Sequence, residues 1–498
     1  MKTSKAVLIT DLCSSAPKSS YDFSHRCADR LDAGDRLVTL FGRHEKSNRH
    51  RGTIVTAVFQ TPSGELNVFR GQAEDGKHYP SLTRIYPMAQ IFERELWEQT
   101  GLQPEGHPWL KPVRFEGERQ QRMTEYPFFK VRGREVHEVG VGPIHAGVIE
   151  PGHFRFMCLG EKVHHLEIQL GYQHRGVEAL LRRRPPMALA STVESICGDS
   201  SVAYAWGYCA AVEALSNSPV SLETDLLRGI ALEMERIAMH VATLNGLATD
   251  VAFLQGGGTY GRLRTAIINA TQRVCGNRFG RGWLRPGRAR GLTDVLRQDL
   301  MQTLSAFARD FTEINELMLA SISVKARLQG AGIVSTKTAQ ELGLVGVVAR
   351  ASGIATDTRI QLPSQIYERF PAELVTESSG DCWARMKQRI REVDASVQWL
   401  LKVLGDTALD LTGSDSTREV LGKLLAPETL CVSLIEGTRG PVVQVIETSS
   451  QGEILHYKVQ DPSLPNWFGL AMAVRDNDIS DFPICNKSFD LSYCGNDL

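Results

Sequence analysis

Hydrophobic residues recur at helical spacing through the second half of the chain. In residues 222–245 they fall at alternating steps of three and four, and residues 296–318 and 383–400 repeat the pattern. Such spacing places apolar side chains on one face of a helix. Three long helices with matching apolar faces predict a bundle core. The three stripes are Leu227, Ile230, Met234, Ile237, Val241 and Leu244; Leu296, Leu300, Leu304, Phe307, Phe311, Ile314 and Met318; and Trp383, Met386, Ile390, Val393, Val397 and Leu400.

The first part of the chain has a different pattern. Residues 51–71, RGTIVTAVFQTPSGELNVFRG, are two runs of β-branched and aromatic residues around a Pro-Gly turn, which predicts a β-hairpin. Residues 89–99 have helical character, and the Gly101 and Pro104 that follow end the predicted helix. A second hairpin is predicted at 441–459, with its turn at 449–452.

We therefore predict an α+β fold with two domains. A small N-terminal α/β domain comprises residues 1–125, and a mainly α-helical bundle domain with peripheral β-hairpins comprises residues 126–498. The polar stretch 117–127 is the best candidate for a linker between them.

Composition excludes several classes of function. The formal net charge is -1 over 498 residues, so no bulk field attracts nucleic acid, and we assign no nucleic-acid role. No segment approaches the roughly 18–20 consecutive apolar residues of a membrane span. The apolar run near the N-terminus is also too short for a signal peptide. The ten cysteines are scattered without a CxxC pair, so we expect neither disulfides nor a metal site built by this chain alone.

The stretch GPIHAGVIEPGHFRF, residues 142–156, is the first candidate for chemistry. Its glycines and prolines fix an irregular loop around His145, Glu150 and His153. Burial and neighbouring charges can tune such groups for proton transfer. Asp250, near a helix end, could meet the two histidines if the loops converge. The alternative is an ordinary turn between strands with surface side chains.

A second candidate follows the predicted strand at 163–170. His174, Arg175 and a glycine stand at the turn into a helix. An arginine there could offer a fixed positive charge and several donors to an anionic cluster or cofactor. It could equally cap the helix or pair on the surface.

The stretch ESICGDSSVAYAWGYC, residues 194–209, looks like half of a metal clamp. If residues 197–215 form a helix, Cys197, Ser200, Tyr204 and Tyr208 share one face. Two thiolates three residues apart can bind one soft metal, but a serine hydroxyl cannot replace a thiolate for nickel or iron.

Several stretches together resemble known families. FERELWEQTGLQPEGHP is similar to the C-type subunit of NADH:quinone oxidoreductase, respiratory complex I. GPIHAGVIEPGHFRF, LGYQHRGVEALL, GAGIVSTKTAQELGLVGVVARASGIATDTR and VQDPSLPNWFGLAMAV resemble the D-type subunit. The chain is even more similar to the large subunit of membrane-bound nickel-iron hydrogenases of the formate hydrogenlyase and hydrogenase-4 type, in which the C-like and D-like parts are fused. The resemblance covers almost the whole chain from about residue 50.

The hydrogenase resemblance implies a lost metal centre. In those enzymes two CxxC pairs hold nickel and iron. Here the central pair keeps Cys197 and has Ser200 as its second member. In the terminal motif, leucine and Ser492 follow Asp490 where proline and cysteine are expected, and Cys494 falls one place before the family's last cysteine. The resemblance therefore implies a vestigial metal pocket, with no nickel-iron centre and no other cofactor bound by this chain.

The complex I resemblance implies a different set of site residues. His145 matches the histidine of the GPxH motif, and Arg175, preceded by His174, matches an arginine beside the terminal iron-sulfur cluster of the neighbouring subunit. Asp250 matches an aspartate of the quinone-site region.

Two quinone-site residues of that family are missing. The quinone-binding tyrosine aligns near Gly198, and the second loop histidine aligns with Ile149. A quinone site of the usual kind is therefore not predicted, although Tyr204 or Tyr208 could supply a hydroxyl from further along the helix.

The resemblance implies a subunit of a membrane-associated, complex I-like oxidoreductase, of a family linked to NAD and quinone binding. Electrons at a 4Fe-4S cluster in a small B-type subunit would reduce a quinone or another acceptor, coupled to ion translocation. The implied partners are this small iron-sulfur subunit, a ferredoxin-like iron-sulfur subunit, and antiporter-like and other membrane subunits at the cytoplasmic face. An active hydrogenase and a degenerate assembly subunit stay open as alternatives.

Overall fold

A computed structural model confirms the α+β class, with a β-rich N-terminal region followed by a mainly helical one. The candidate linker lies partly outside the described part of the chain, since residues 117–121 are not among the described residues. The described residues are 5–13, 15–45, 52–73, 77–116, 122–131, 133, 135–147, 149–183 and 186–498, without the side chains of 186–188.

The N-terminal region is a four-stranded sheet covered by two helices. Its strand order is β2-β5-β4-β3, antiparallel except for the β2-β5 pair. The predicted first hairpin is confirmed as β4-β5, and the predicted helix as α2, which ends at Gly101 in the left-handed conformation. The elements are β1 (Val7–Asp11), β2 (Lys18–Ser19), α1 (Ser20–Asp32), β3 (Arg36–His44), β4 (Thr53–Gln60), β5 (Leu66–Ala73), β6 (His78–Pro80), α2 (Gln90–Thr100) and β7 (Gln103–Glu105).

A three-stranded antiparallel sheet comes next and positions the first candidate loop. It consists of β8 (Val136–Val141), β9 (His153–Leu159) and β10 (Lys162–Gln169), in the order β10-β9-β8. The loop 142–152 joins β8 to β9. The predicted strand at 163–170 is confirmed as β10, and the chain then turns into α3.

The three predicted apolar stripes are confirmed on three long helices, α6, α8 and α14. Their stripe residues are buried, apart from the partly buried Leu296 and Trp383. Among the described residues, no helix is long and apolar enough to cross a membrane. The elements from α3 to α15 are α3 (Val177–Arg183), α4 (Pro186–Val193), α5 (Ser201–Leu215), α6 (Leu222–Asp250), α7 (Leu254–Cys275), β11 (Leu284–Arg285), β12 (Arg288–Ala289), α8 (Asp294–Ala320), α9 (Ile322–Leu328), α10 (Thr336–Glu341), α11 (Gly346–Ala351), α12 (Thr358–Gln361), α13 (Gln365–Arg369), α14 (Cys382–Gly405) and α15 (Thr417–Leu421).

The second predicted hairpin is confirmed as β14 (Pro441–Thr448) and β15 (Ile454–Gln460), but it is more deeply buried than a peripheral hairpin. With β13 (Thr429–Glu436) it forms a sheet of order β1-β13-β14-β15. One face packs on α5, and Leu430, Val432 and Val443 of the other face pack with Val38 and Phe41 of the N-terminal sheet. Because both faces are covered, β13 and β14 are apolar along most of their length.

The chain ends in three helices that return to the centre of the molecule. They are α16 (Ser463–Ala473), α17 (Phe482–Phe489) and α18 (Tyr493–Asp497). Asp490 ends α17 with φ 54° and ψ 47°, a left-handed conformation that turns the chain sharply into α18.

Candidate functional site

Cys197 and Cys494, two residues of the predicted vestigial metal pocket, lie close together where the turn before α5 meets the start of α18. The Sγ atom of Cys197 lies 3.1 Å from Oγ of Ser492, which lies 3.5 Å from Sγ of Cys494. Two segments almost 300 residues apart in sequence thus bring two thiols and one hydroxyl together.

The prediction of a helix from residue 197 is wrong at its start. The helix α5 begins at Ser201, and the backbone N–H of Ser200 instead donates to the carbonyl of Cys197, 3.1 Å away, in a turn. Glu235 of α6 accepts hydrogen bonds from the first amides of α5, Val202 N at 2.6 Å and Ala203 N at 3.1 Å. Because a carboxylate from another helix satisfies these N–H groups, α5 needs no further turn at its N-terminus.

The two thiols differ in acidity. The pKa of the Cys197 thiol is raised by its hydrogen bond with Cys494 and then by burial, whereas that bond lowers the pKa of Cys494. Cys197 therefore keeps its proton, and its thiol donates a hydrogen bond to Oδ1 of Asp199 at 2.9 Å. Cys494 is partly exposed and ionises first, so it is the nucleophilic sulfur of the pair.

Arg439 holds the acidic groups of the pocket. It lies in the turn between β13 and β14, and no periodic pattern in the sequence identifies it as a site residue. Its guanidinium donates to both carboxylate oxygens of Asp199, at 3.0 and 2.8 Å, and lies 3.5 Å from Asp490. Burial would raise the pKa of Asp199, but the charge of Arg439 outweighs burial and leaves that pKa below its usual value.

Asp490 is also committed to neighbouring groups. Its carboxylate accepts from Oγ1 of Thr243 at 2.6 Å and from Nζ of Lys487 at 2.9 Å. Burial opposes ionisation, but Lys487 and Arg439 together hold the pKa of Asp490 well below its usual range. Asp490 is therefore an ion-paired residue of the pocket wall.

The loop 142–152 is braced by its own histidines. Nε2 of His145 lies 2.8 Å from the carbonyl of Gly152, and Nδ1 of His153 lies 3.0 Å from the carbonyl of Gly142. Glu150, which is exposed, is the member of this loop whose charge reaches the pocket, where it opposes ionisation of Cys494. The charge of Glu150 thus acts on the pocket, whereas His145 and His153 hydrogen-bond to carbonyls of the loop and pack against Phe154 and Phe128.

Asp250 is linked to the pocket by a lysine. It is the exposed last residue of α6. Partial burial of its carboxyl raises the pKa of Asp250, and the charge of Lys487 opposes that rise. Lys487 also donates to Asp490, so the same positive charge acts on Asp250 and on the pocket wall. Among the described residues, the hydrogen bonds of His145 and His153 do not involve Asp250.

Arg175 clamps the two segments that carry the thiols. Its guanidinium donates to the carbonyls of Ser195, Ile196 and Cys494, at 2.9, 2.8 and 2.9 Å. Arg175 therefore positions both halves of the pocket from the outside.

His174 lies beside this clamp and faces the N-terminal region. Its Nδ1 is 2.8 Å from the carbonyl of Asp497, and its Nε2 is 3.5 Å from Glu116. Both His174 and Glu116 line a cleft of about 1330 Å³ between the N-terminal region and the end of the chain. This cleft is large enough to receive a segment of another protein.

The two tyrosines of α5 are fully buried. The hydroxyl of Tyr204 donates to Oδ2 of Asp461 at 2.6 Å, and burial raises the pKa of both Tyr204 and Tyr208. The Tyr204 hydroxyl is thus already used inside the protein.

A cavity of about 410 Å³ adjoins the pocket. Its lining includes Gly198, Asp199, Arg264 and Arg281. Asp199 lines this cavity and accepts a hydrogen bond from the Cys197 thiol. The two arginines have no ion-pair partner among the described residues, so the cavity favours a ligand with negative charge or with carbonyl oxygens.

The donor set does not match the four thiolates of the hydrogenase motifs. The pocket supplies two thiols, one of which keeps its proton, and one hydroxyl. Within the described residues, no group of three or more His, Cys, Asp or Glu side chains is arranged to hold a metal ion.

Comparisons with known proteins agree with the two-part organisation. Residues 17–128 match the 30 kDa subunit of respiratory-chain NADH dehydrogenase, and residues 259–419 match its 49 kDa subunit. Formate hydrogenlyase subunit 5 of Escherichia coli (strain K12) is 28% identical, over 92% of this chain and 84% of that protein. Hydrogenase-4 component G of the same organism is 27% identical, over 92% and 83%.

A protein with both parts fused also occurs among the respiratory relatives. The fused C/D protein of NADH-quinone oxidoreductase from Bacteroides thetaiotaomicron is 24% identical, over 87% of this chain and 85% of that protein. A solved chain of the membrane-bound sulfane sulfur reductase, an archaeal respiratory membrane complex, shares the fold with a TM-score of 0.68 at 20% identity, over 73% of this chain and 99% of that chain. This chain therefore fuses the 30 kDa and 49 kDa domains of respiratory-chain NADH dehydrogenase and is homologous to the formate hydrogenlyase and hydrogenase-4 proteins.

Proposed function

We propose that this chain is the large subunit of a membrane-associated, complex I-like oxidoreductase without its own nickel-iron centre. Electrons from a 4Fe-4S cluster in a neighbouring small subunit reduce a quinone or another small acceptor at the pocket of Cys197 and Cys494. Membrane subunits couple this reduction to ion translocation. The observation that carries the proposal is the meeting of two thiols and the Ser492 hydroxyl where the resemblance predicts four thiolates.

The chemistry of the pocket argues against a working hydrogenase. Nickel and iron in a sulfur site need soft, ionised ligands, and a serine hydroxyl is hard and poorly ionised. Two carboxylates of the pocket are already ion-paired, because Arg439 contacts both Asp199 and Asp490. The residues present therefore do not fit a nickel-iron centre, and no step of the proposed reaction uses one.

The groups around the pocket suit proton-coupled reduction of a small molecule. Reduction of a quinone to a quinol takes up two electrons and two protons, so proton donors are needed beside the acceptor. The charge of Glu150 acts on Cys494 from the surface, and partial burial raises the pKa of Asp250 above its ordinary value. The charge of Lys487 acts on Asp250 at the surface and, through a hydrogen bond, on Asp490 at the pocket wall, which links the two carboxylates electrostatically.

The partners are proposed from the relatives and from the surface. Formate hydrogenlyase, hydrogenase-4 and the membrane-bound hydrogenase of Pyrococcus furiosus are named as multisubunit or membrane-bound enzymes. We assign the small iron-sulfur subunit to the side of His174 and Arg175, where the 1330 Å³ cleft opens. A ferredoxin-like subunit and antiporter-like membrane subunits complete the complex at the cytoplasmic face of the membrane.

The test uses the intact complex purified through this chain. We expect nickel far below one atom per chain, no hydrogen evolution with a reduced viologen, and reduction of a soluble quinone analogue. Cys494→Ser removes the sulfur that ionises first and should slow reduction at least about tenfold, which is ~1.4 kcal/mol in the barrier. The control is Cys209→Ser, because Cys209 is a thiol of the neighbouring helix α5 that is fully buried in the core.

Two outcomes would contradict the proposal in different ways. Stoichiometric nickel together with hydrogen evolution would establish the hydrogenase alternative. Unchanged electron transfer and ion pumping in both Cys494→Ser and Arg175→Met, in complexes that retain all their partner proteins, would favour the alternative of a degenerate assembly subunit.

A further inference from the structure

A second pair of thiols lies away from the candidate site. Cys382 is the first residue of α14 and Cys485 lies in α17, 103 residues later, and their sulfur atoms are 3.8 Å apart. Both side chains are fully buried, and both cysteines are free. The proposed electron-transfer function makes no use of this pair.

Arg385 lies against the pair and lacks a carboxylate partner. Its guanidinium is fully buried and donates to the carbonyls of Gly380 and Gly332, at 2.7 and 2.9 Å. Among the described residues, no carboxylate lies within ion-pair distance of it. A buried charge without a counter-ion is strongly disfavoured. The group in contact that can carry negative charge is the sulfur of Cys382, which lies 3.3 Å from Nη2 of Arg385.

The position of Cys382 also favours its thiolate form. It begins a 24-residue helix, whose N-terminal end is positive, and Asp381 caps that end by accepting from Ala384 N. Burial opposes ionisation, but the hydrogen bond from Cys485 and the charge of Arg385 outweigh it and lower the pKa of Cys382 to about 6. The same bond raises the pKa of Cys485, so the pair consists of one thiolate and one thiol.

We propose that Cys382 and Cys485 form a redox modification site, at which a small peroxide oxidises the Cys382 thiolate and Cys485 completes a disulfide. On one side the pair is covered by the loop that joins α9 to α10. Gly332 packs directly on both sulfurs, since a Cβ atom there would lie 2.6 Å from Sγ of Cys485, and the next residue, Ile333, is 55% exposed. A peroxide is small enough to pass such a cover, whereas a bulky disulfide reagent is not.

The chemistry balances with hydrogen peroxide as the oxidant. The Cys382 thiolate attacks one peroxide oxygen, the O–O bond breaks, and a sulfenic acid and hydroxide result. The Cys485 thiol then attacks the sulfenic sulfur, the S–S bond forms, the S–O bond breaks, and water leaves with the Cys485 proton. Two electrons pass from the two sulfurs to the peroxide.

The disulfide would have a structural consequence at the candidate site. It would fix α17 to α14 and remove the thiolate that compensates Arg385. Because α17 ends at Asp490, which Arg439 and Lys487 hold at the pocket wall, oxidation would alter the element that carries the terminal half of the pocket.

The test is peroxide treatment of the full-length protein in its complex, followed by acid quenching, denaturation in N-ethylmaleimide and peptide mass spectrometry. We expect the peptides of Cys382 and Cys485 to be joined and two hydrogens lighter than the sum of the thiol forms. In Cys485→Ser, dimedone added together with the denaturant should trap a sulfenic acid at Cys382. In Cys382→Ser, Cys485 should be recovered as a thiol.

Internal controls make the test independent of overall folding defects. Cys27 and Cys431 are equally buried but have no thiol partner in the part of the chain that the structure describes, and burial raises the pKa of each, so both should stay reduced. Arg385→Gln should slow disulfide formation at least tenfold, whereas Arg385→Lys keeps the charge and should restore most of the rate. Recovery of Cys382 and Cys485 as maleimide adducts at a dose that oxidises the exposed Cys13 would overturn the proposal.

Discussion

At the scale of single residues, Glu235 shows how a buried carboxylate can make stability depend on pH. It caps α5 through two backbone amides and is almost fully buried, and burial raises its pKa to about 8. In the unfolded chain the pKa is the ordinary 4.5. The folded protein therefore binds one more proton between these values, and stability contributed by this group is lost as pH rises from about 4.5 to about 8.

The first prediction concerns Glu235→Gln, which keeps one of the two acceptor oxygens but cannot ionise. The melting temperature of the wild type should fall relative to that of the variant as pH increases from ~5 to ~9. The corresponding loss in the free energy of unfolding should be at most about 5 kcal/mol. The measurement is a series of thermal unfolding curves across this pH range. Glu453→Gln is the control, because Glu453 is exposed and its variant should follow the wild type at every pH. A constant difference between Glu235→Gln and wild type would refute the assigned pKa.

At the scale of elements, sequence periodicity predicted the helices and hairpins whose formation depends on local patterns. The three bundle helices, α2 and both hairpins were all predicted, because their apolar spacing and their Gly or Pro boundaries lie within each segment. The start of α5 was not, because its cap comes from Glu235 on another helix. Arg439 and the pair of Cys382 and Cys485 were missed for the same reason: their partners are distant in sequence and follow no local pattern.

The second prediction concerns the support of the turn that carries Arg439. Gly346 begins α11 with φ +64°, and a Cβ atom there would lie 1.9 Å from the carbonyl oxygen of Arg439. Gly346→Ala should displace this turn, weaken the bond from Arg439 to Asp199, and lower the free energy of unfolding by about 3 kcal/mol. Amide exchange in residues 437–440 and the melting temperature measure the two effects.

Gly353→Ala is the matched control for this prediction. Its φ is also positive, +87°, but the nearest atom to an added Cβ is Oγ1 of Thr336 at 3.4 Å. Its cost should therefore be the backbone strain alone, about 1 kcal/mol. Equal effects of the two substitutions would show that contact with Arg439 is not what requires glycine at position 346.

At the scale of the whole molecule, the two halves of the chain are joined by buried charges that composition could not reveal. Charged residues in a sequence usually indicate solvated surface. Here Glu95 and Arg114 of the N-terminal region form an ion pair, Nε of Arg114 donates to the carbonyl of Asn496, and Lys458 of β15 lies 2.6 Å from Glu95. The pocket of Cys197 and Cys494 was predicted as a set of residues, but its closure depends on this docking, because Arg114 holds the helix that carries Cys494.

The last prediction therefore concerns Lys458→Met. Lys458 is 1% exposed and joins Glu95 of the N-terminal region to Glu178 of α3, at 2.6 and 3.1 Å. Its removal leaves buried carboxylates undercompensated and should cost about 3–5 kcal/mol. Because the lost bond to Glu95 crosses between the two regions, amides of α2 and β3 should exchange faster while those of α6 stay protected. Lys423→Met removes an exposed ion pair with Glu419 and should change stability by about 1 kcal/mol or less. Uniformly faster exchange in both regions would mean that Lys458 stabilises the fold as a whole and not the docking of its two parts.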